Sequence, residues 1–402
     1  MRELPPTAGL PLKVADLRPG SADFAAQATA WLGTPPLQLE CSGTAALVVT
    51  LHAMHKLKPE RREVVVPAWT CPLVALAIHR AGLIPRLCDL APDHYDMDAG
   101  QLAVVTGDHT LAIVPTHIAG RIADVHTANA IARSAGAFVI EDAAQATGAR
   151  QDGQSVGLLG DAGFFSLAVG KGLTLFEGGL LTARESAMRD ALATSHREVI
   201  HADPRMDRQR ALELAGYALM YRPSLLSLVY GRPLRKALAA NDPVAAVGDD
   251  FGPEIPLHTV SRWRQAVGAR ALPRLHGFVQ ATRRQALRRL EQLQRIPGVV
   301  TFGDAPGDEG VWPFLLLLMP DQAARDAALK ELWTAGLGVS RLFIHALPDY
   351  SYLRDIVAPA ELPRARDFAA RSLTIGNSLW LRDDEFERIR AVLVRTAAVT
   401  GS

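Results

Sequence analysis

Residues 160–179, GDAGFFSLAVGKGLTLFEGG, decide how the rest of the sequence is interpreted. The apolar run FFSLAV predicts a short buried strand that ends in the turn Gly170-Lys171-Gly172. A glycine on each side of Lys171 lets the backbone bend sharply and lets a large ligand approach closely. A lysine at the mouth of a hydrophobic pocket loses solvation, so its pKa falls and its neutral amine becomes a nucleophile toward a carbonyl. Taken alone, the stretch also fits a surface lysine in a glycine-rich turn, and the upstream segments favour the nucleophile.

Composition narrows the class of protein. The chain has 402 residues, of which 49% are hydrophobic, which is enough for a large core and two domains. The net charge of +1 gives no basic field that would favour nucleic acid. Three irregularly spaced cysteines, Cys41, Cys71 and Cys88, predict small buried side chains in a reduced, cytoplasmic setting and neither a disulfide framework nor a metal site. We expect no signal peptide and no membrane span.

The order of patterns along the chain predicts an α/β fold. Residues 42–179 alternate helical and strand-like segments, which favours a mostly parallel sheet between helices. A helical region follows from Glu185 to Val247, broken by Pro223 and Pro233, and then come long helices that link to a second domain. Beyond them, VWPFLLLLM and VSRLF predict strands and the chain ends in a helix after Asp383. We therefore predict a large domain of residues 1–250 and a smaller α/β domain of residues 251–402.

One apolar stretch, Tyr217–Leu234, carries scattered arginines. It fits a segment that lies on a membrane surface, and it also fits a segment that packs against the core or a partner subunit. The second interpretation is the more common one for such stripes and is the one we prefer.

The sequence CSGTAAL predicts an anion site at the start of a helix. Ser42, Gly43 and Thr44 combine hydroxyl groups with the free backbone N–H groups of a helix N-terminus, which suits a phosphate ester. Ser166, at the end of the strand that precedes the lysine, adds a further hydroxyl on the same side. Taken alone, the Ser-Gly-Thr sequence also fits an ordinary helix cap, and Ser166 also fits an ordinary strand residue.

Two more residues predict recognition of a flat aromatic ring. Trp69 follows the buried strand VVVP, and its indole is suited to stacking on such a ring. The strand AFVIED ends in Glu141 and Asp142, at the position where open α/β sheets bind ligands. Neighbouring strand residues point to opposite faces, so we assign Asp142 to the ring, where a carboxylate keeps a pyridine nitrogen protonated, and Glu141 to a structural role. Gln145 follows Asp142 by three residues, about one helical turn.

In this order the motifs resemble the DegT/StrS-type sugar aminotransferases, on the aspartate aminotransferase-like fold of the pyridoxal phosphate (PLP) enzymes. The segments that carry the resemblance are CSGTAAL, EVVVPAWTCPLVA, IVPTHIAGRIADV, VIEDAAQATGA, GDAGFFSLAVGKGLTLFEGG and, more loosely, the region around GLGVSRLF. The resemblance implies a large PLP-binding domain with a seven-stranded, mostly parallel sheet, and a homodimer with its active sites at the subunit interface.

The resemblance also implies roles for individual residues. Lys171 would form the Schiff base with PLP and shuttle the proton, Asp142 would pair with the pyridinium nitrogen, and Trp69 would stack on the ring. Gln145 would lie near the ring hydroxyl, and the phosphate would be surrounded by Ser42, Gly43, Thr44 and Ser166. A dehydratase branch of the family has histidine in place of the lysine, so Lys171 favours transamination.

Some positions depart from the family pattern or leave a choice open. The family carries an Asn-x-Arg sequence whose asparagine contributes to the partner's phosphate site, whereas this chain reads LHTVSRWRQAVGA, with His258 and Arg262 as the open alternatives. Residues 203–250 fit the family poorly. His117 could face the substrate or fix a turn, and for Glu177 loop geometry is the preferred role.

The functional hypothesis is a ping-pong aminotransferase with a small-molecule amino donor, L-glutamate, and a keto acceptor, a nucleotide-linked deoxysugar. One alternative is the same chemistry on a non-sugar ketone such as a cyclitol. Another is a regulatory protein that binds PLP without turnover. Nucleic acid is not an expected partner.

Overall fold

The computed structural model describes residues 2–398, and a seven-stranded sheet forms its centre. The strand order is β1-β9-β8-β5-β4-β2-β3, and only the pairings made by β9 are antiparallel. This confirms the predicted mostly parallel sheet of seven strands. The strands of this first half of the chain are β1 Gln38–Glu40, β2 Glu63–Pro67, β3 Ile84–Cys88, β4 Thr110–Ile113, β5 Phe138–Asp142, β6 Arg150–Gln151, β7 Gln154–Ser155, β8 Ala162–Ser166 and β9 Gly179–Ala183.

A second, four-stranded sheet lies in the C-terminal part, in the order β10-β12-β14-β13 with antiparallel pairing throughout. The strands VWPFLLLLM and VSRLF are confirmed as β12 and β13, whereas the central partner β14 was not predicted. A short strand, β11, crosses back to pair with β6. The bounds are β10 Val300–Thr301, β11 Asp308–Glu309, β12 Phe314–Leu318, β13 Val339–Ser340 and β14 Ser372–Gly376.

Helices pack against the two larger sheets. The predicted glycine stop at Gly136 is confirmed, since this residue has φ 66° and caps α5. The bounds are α1 Phe24–Leu32, α2 Gly43–Leu57, α3 Pro72–Arg80, α4 Ala99–Val105, α5 Val125–Ala135, α6 Ser186–Val199, α7 Pro204–Met220, α8 Arg232–Ala239, α9 Pro243–Val247, α10 Arg262–Ala271, α11 Leu275–Leu293, α12 Gln322–Leu332, α13 Pro363–Arg371 and α14 Asp383–Ala398.

The central strands are apolar because helices bury them on both faces. Every residue of β4, β8 and β9 is buried, which explains why these strands read as continuous apolar runs and do not alternate. The fold is therefore mixed α/β, as predicted, with two large sheets and a small three-stranded sheet formed by β6, β7 and β11. The domain boundary at residue 250 remains a prediction.

The apolar stretch Tyr217–Leu234 divides into two kinds of residue. Tyr217 and Tyr221 are buried and stacked, with ring centroids 4.5 Å apart, as the packing interpretation predicts. Leu228 and Val229 instead expose 42% and 50% of their surface. Among the helices between residues 2 and 398, none is long and apolar enough to cross a membrane.

Candidate active site

A cavity of about 450 Å³ lies where the central sheet meets the C-terminal sheet, and its volume is within the range of small-molecule sites. Residues from the end of β5, the end of β8 and the start of α2 form one wall, and residues around β13 form the other. Most of the predicted site residues line this single cavity, namely Ser42, Gly43, Thr44, Asp142, Gln145, Ser166 and Lys171.

The start of α2 forms a tight polar corner. Ser42 is the N-cap, and its Oγ accepts a hydrogen bond of 2.9 Å from the backbone N–H of Ala45. A Cβ atom on Gly43 would lie 3.2 Å from the Cβ atom of Ser166, so a glycine lets the helix end approach β8. The first N–H groups of a helix have no partner within it. The corner therefore presents backbone donors and hydroxyl groups to the cavity, as an anion requires.

The lysine turn is held by the N-terminal segment of the chain. Gly170 and Gly172 both have φ 81°, and the carbonyl oxygen of Gly172 accepts a hydrogen bond of 2.7 Å from the backbone N–H of Leu10. Burial lowers the pKa of the Lys171 amine, and the nearby Cys71, Asp142 and Asp249 oppose that effect. The turn thus places an amine with a lowered pKa in the cavity, as the sequence predicted.

We expect Gly170→Ala to misplace this turn. An added Cβ atom at Gly170 would lie 1.9 Å from Thr7 Oγ1, and the left-handed backbone adds strain of about 1–3 kcal/mol. Thermal unfolding and cofactor affinity should both decline. The matched control is Gly172→Ala, which has the same φ but only an ordinary contact, 3.8 Å from Leu275 Cδ1. If both variants lose the same stability and affinity, the close contact with Thr7 is not what shapes the turn.

The two adjacent acids at the end of β5 have different surroundings. Asp142 lines the cavity, and burial raises its pKa, opposed by the backbone N–H of Ala144 and the charge of Lys171. Glu141 points away and accepts hydrogen bonds from His117 Nε2 and from three backbone N–H groups, those of Gly157, Leu159 and Gly160. The predicted division, with Asp142 toward the ligand and Glu141 structural, agrees with this geometry.

His117 does not reach the cavity, so its candidacy as a substrate contact is wrong. Its side chain is fully buried; Nε2 donates to Glu141 and Nδ1 accepts from the backbone N–H of Ala123, each at 3.0 Å. Both ring nitrogens are used within the protein, so the alternative role of fixing the turn is the correct one. Gln145 lines the cavity, and its Oε1 accepts a hydrogen bond of 2.8 Å from the backbone N–H of Ala119.

Trp69 also lies outside the cavity, which corrects its predicted stacking role. It is fully buried against Phe343 and Phe368, with ring centroids 5.2 and 4.6 Å away, and its Nε1 donates to the carbonyl oxygen of Phe343 at 3.2 Å. The next two residues, Thr70 and Cys71, line the cavity instead.

Trp69→Phe should therefore destabilise the protein and leave the cofactor site intact. The loss of one buried hydrogen bond and part of the ring contact predicts a decrease of about 1–3 kcal/mol in the free energy of unfolding. The absorption maximum of bound PLP should not shift. A shifted maximum at unchanged stability would contradict the placement of Trp69 in the core.

Sequence reasoning missed a group of residues on the opposite wall. Asp249, Arg341 and Phe343 line the cavity, and the hydroxyl group of Tyr350 donates to Asp249 Oδ2 at 2.7 Å. No motif marks Asp249, which lies in the segment that fits the family poorly. The positions of Arg341 and Phe343, in the C-terminal region GLGVSRLF that resembles the family, could have pointed to this wall.

The two candidates for the missing family asparagine lie away from this cavity. His258 is buried, its Nδ1 contacts the carbonyl oxygen of Thr259, and its Nε2 has no hydrogen-bond partner among the described residues. Arg262 is exposed at the start of α10. Glu177 does line the cavity, and its carbonyl oxygen accepts a hydrogen bond from Arg264, which agrees with the role in loop geometry.

Comparisons with known proteins agree with the geometry. A sequence model of the DegT/DnrJ/EryC1/StrS aminotransferase family matches residues 16–219 and 259–394. GDP-perosamine synthase of Caulobacter vibrioides is 38% identical over 36% of this chain and 38% of its own. A putative L-glutamine:3-amino-2,3-dideoxy-scyllo-inosose aminotransferase of Streptomyces kanamyceticus is 35% identical over 40% of this chain and 38% of its own.

The fold matches solved structures over nearly the whole chain. The sugar aminotransferase CalS13 from Micromonospora echinospora superposes with a TM-score of 0.74 at 21% identity, covering 98% of this chain and 100% of that one. The alignments with the two curated relatives, by contrast, span only 38% of the length of each.

Proposed function

Because the chain belongs to the DegT/DnrJ/EryC1/StrS aminotransferase family, we propose that it is a PLP-dependent aminotransferase of the ping-pong type. The observation that carries this proposal is the single cavity that brings Lys171, Asp142 and the anion-binding start of α2 together. PLP dependence is a property of the aminotransferases of this family, and a putative sugar aminotransferase of Streptococcus pneumoniae with a similar fold has been solved in PLP and PMP forms.

The residues of the cavity fit PLP. The close approach of Gly43 to Ser166 leaves backbone N–H groups and the Ser42, Thr44 and Ser166 hydroxyls for a phosphate. Asp142 would face the pyridine nitrogen, and Lys171 would hold the aldehyde carbon. Cys71 lines the cavity two residues after Trp69, the residue that the family resemblance assigned to stacking on the ring. Its side chain, smaller than an indole, would contact the cofactor there.

Each residue has a defined task in amino transfer. When bound, PLP supplies an electron sink that stabilises a carbanion at the amino carbon. Lys171 Nζ, with its pKa lowered by burial, would take the proton from that carbon and return it to the cofactor side. Asp142 would keep the ring nitrogen protonated by its negative charge. The apolar walls, including Leu73 and Phe343, would limit the access of water.

The amino donor is proposed to be L-glutamate and the acceptor a ketone of a nucleotide-linked deoxysugar. The similarity to GDP-perosamine synthase supports this choice. A cyclitol ketone is the second candidate, and two observations favour it. One is the similarity to the scyllo-inosose aminotransferase. The other is that residues 220–258, which contribute to the cavity, lie outside the family match.

We further propose a cytoplasmic homodimer with active sites at the interface. The free cysteines support a reducing compartment. The unpartnered Nε2 of buried His258, together with the exposed Leu228 and Val229, supports a surface that a second subunit completes. Sedimentation with and without PLP would test the dimer.

The proposed function is tested by steady-state turnover with L-glutamate and a panel of keto acceptors. The panel contains a GDP-linked and a dTDP-linked 4-keto-6-deoxyhexose, a UDP-linked 3-keto sugar and scyllo-inosose. Formation of 2-oxoglutarate with one of these ketones supports the proposal, and exclusive use of scyllo-inosose selects the cyclitol alternative. Bound PLP without turnover for any donor and acceptor would favour the regulatory alternative instead.

A further inference from the structure

The segment that lies outside the family match forms part of the active-site wall. The family match stops at residue 219 and resumes at residue 259. Within that interval Tyr230, Val247, Gly248, Asp249 and Phe251 all line the cavity that contains Lys171. A segment outside the family match thus shapes the space beside the reactive lysine. Among the described residues of this interval, Asp249 is the only one with a carboxylate that lines the cavity.

Asp249 is held rigidly at this wall. Its Oδ2 accepts hydrogen bonds from the Tyr350 hydroxyl group at 2.7 Å and from the backbone N–H of Ile344 at 3.2 Å. Its carbonyl oxygen accepts a further hydrogen bond from the Tyr352 hydroxyl group. Gly248, with φ 78°, ends α9 immediately before it. Two tyrosines and a backbone amide of the C-terminal part therefore fix the position and direction of this carboxylate.

The second carboxylate oxygen of Asp249 remains available to a ligand. Among residues 2–398, Oδ1 receives no hydrogen bond, although the side chain is only 5% exposed. The neighbouring cation does not use it, since Arg341 Nη2 donates instead to the carbonyl oxygens of Ile344 and Ala369. Oδ1 is not among the fully buried unpartnered atoms of the described residues, so it is open to the cavity, where a water molecule or a ligand can pair with it.

We propose that Asp249 is a specificity-determining residue, whose Oδ1 accepts a hydrogen bond from a hydroxyl group of the keto acceptor. The inference rests on the proposed aminotransferase function and names the class of acceptor, a ketone with a hydroxyl group that can reach this wall. An acceptor ketone without hydroxyl groups leaves Oδ1 without this hydrogen bond, so it should be used less efficiently than a hydroxylated one. The walls formed by Phe251 and Phe343 bind the apolar faces of such a ring.

The test separates the two half-reactions of Asp249→Asn, which keeps the shape of the side chain. In the first, L-glutamate bleaches the visible band of the PLP form, and this rate should change by less than that of the second, since Asp249 affects it only through its charge near Lys171. In the second, a hydroxylated ketone of the panel above restores the band in the pyridoxamine phosphate form. The ketone concentration for half-maximal rate should rise about 10- to 100-fold, the equivalent of a hydrogen bond to a charged group.

The matched control is Asp250→Asn, which removes an exposed carboxylate at the next position and should change neither half-reaction. Tyr350→Phe removes one anchor of Asp249 and should weaken the ketone step alone, by a smaller factor. Equal losses in both half-reactions would assign Asp249 a structural role and overturn the inference. An unchanged rate of the ketone step in Asp249→Asn would also overturn the inference. The same holds if the wild-type protein transfers the amino group only to ketones without hydroxyl groups, such as cyclohexanone or simple 2-oxoacids. Failure of L-glutamate and L-glutamine to bleach the wild-type band would instead contradict the proposed function.

Discussion

Lys171→Ala is expected to lower the rate of amino transfer by about 10⁴-fold, because it removes both the nucleophile and the group that moves the proton. The visible absorption of PLP should lose the band that depends on the lysine. Burial lowers the pKa of the Lys171 amine, so a larger fraction of it is in the neutral form that attacks the cofactor. The free energy of unfolding should change little or increase, since a desolvated amine is removed.

Lys171→Arg distinguishes the loss of the nucleophile and proton carrier from the loss of the positive charge and of the side-chain volume. Arginine keeps a cation in the cavity but stays protonated in the usual pH range, so it can neither attack the aldehyde nor move the proton. The rate should fall as far as in Lys171→Ala. The measurement is single-turnover bleaching by L-glutamate, with Lys13→Ala as an exposed-lysine control. Activity retained in either variant within a factor of about ten would contradict the assignment of Lys171.

Asp142→Asn is expected to lower the rate by about 10²- to 10³-fold, because the charge that stabilises the protonated ring nitrogen is lost. The neighbouring Glu141 provides a matched comparison, since it accepts four hydrogen bonds in the protein interior. Glu141→Gln should cost about 3 kcal/mol of folding free energy, as hydrogen bonds to a charged group are lost. Asp142→Asn should thus lower mainly the rate, whereas Glu141→Gln should lower mainly the stability.

Both variants are measured by urea unfolding and by single-turnover kinetics on the PLP-loaded protein. Asp142→Asn should unfold at a urea concentration equal to or above that of the wild type, since burial already raises the pKa of this carboxyl and penalises its charge. Glu141→Gln should unfold earlier and, where folded, retain most of its rate. The reverse pattern would exchange the roles of the two acids.

The part of the site on the central sheet could be predicted because backbone geometry dictates it. A glycine pair around Lys171, a hydroxyl cap at Ser42 and acids at the end of β5 are local patterns, and the parallel sheet brings its strand ends to one edge. The alternation of neighbouring side chains was enough to separate Asp142 from Glu141.

The prediction that Trp69 stacks on the cofactor ring was wrong, and local sequence patterns do not reveal the reason. After β2 the chain leaves regular strand geometry, so the alternation that sorts Asp142 from Glu141 does not extend to Trp69 and Cys71. An apolar core formed by Phe343 and Phe368, distant in sequence, takes the indole instead. Long-range packing of this kind is not encoded near Trp69.

The opposite wall escaped prediction for a related reason. Asp249 acquires its role from hydrogen bonds to residues about 100 positions later in the chain, at Ile344 and Tyr350. Its own neighbourhood contains no periodic pattern or motif. Strand β14, the centre of the second sheet, was likewise missed because the short run Ser372–Gly376 directly follows a helix and resembles its continuation.

The most direct measurement is the visible absorption spectrum of the purified, PLP-loaded protein before and after addition of L-glutamate. We predict a yellow protein whose band is bleached by the donor and is absent in Lys171→Ala, since the cavity places this lysine beside the anion site and Asp142. A protein that PLP cannot colour, or a band equally strong in Lys171→Ala, would contradict the proposed role of Lys171 and of the cavity around it.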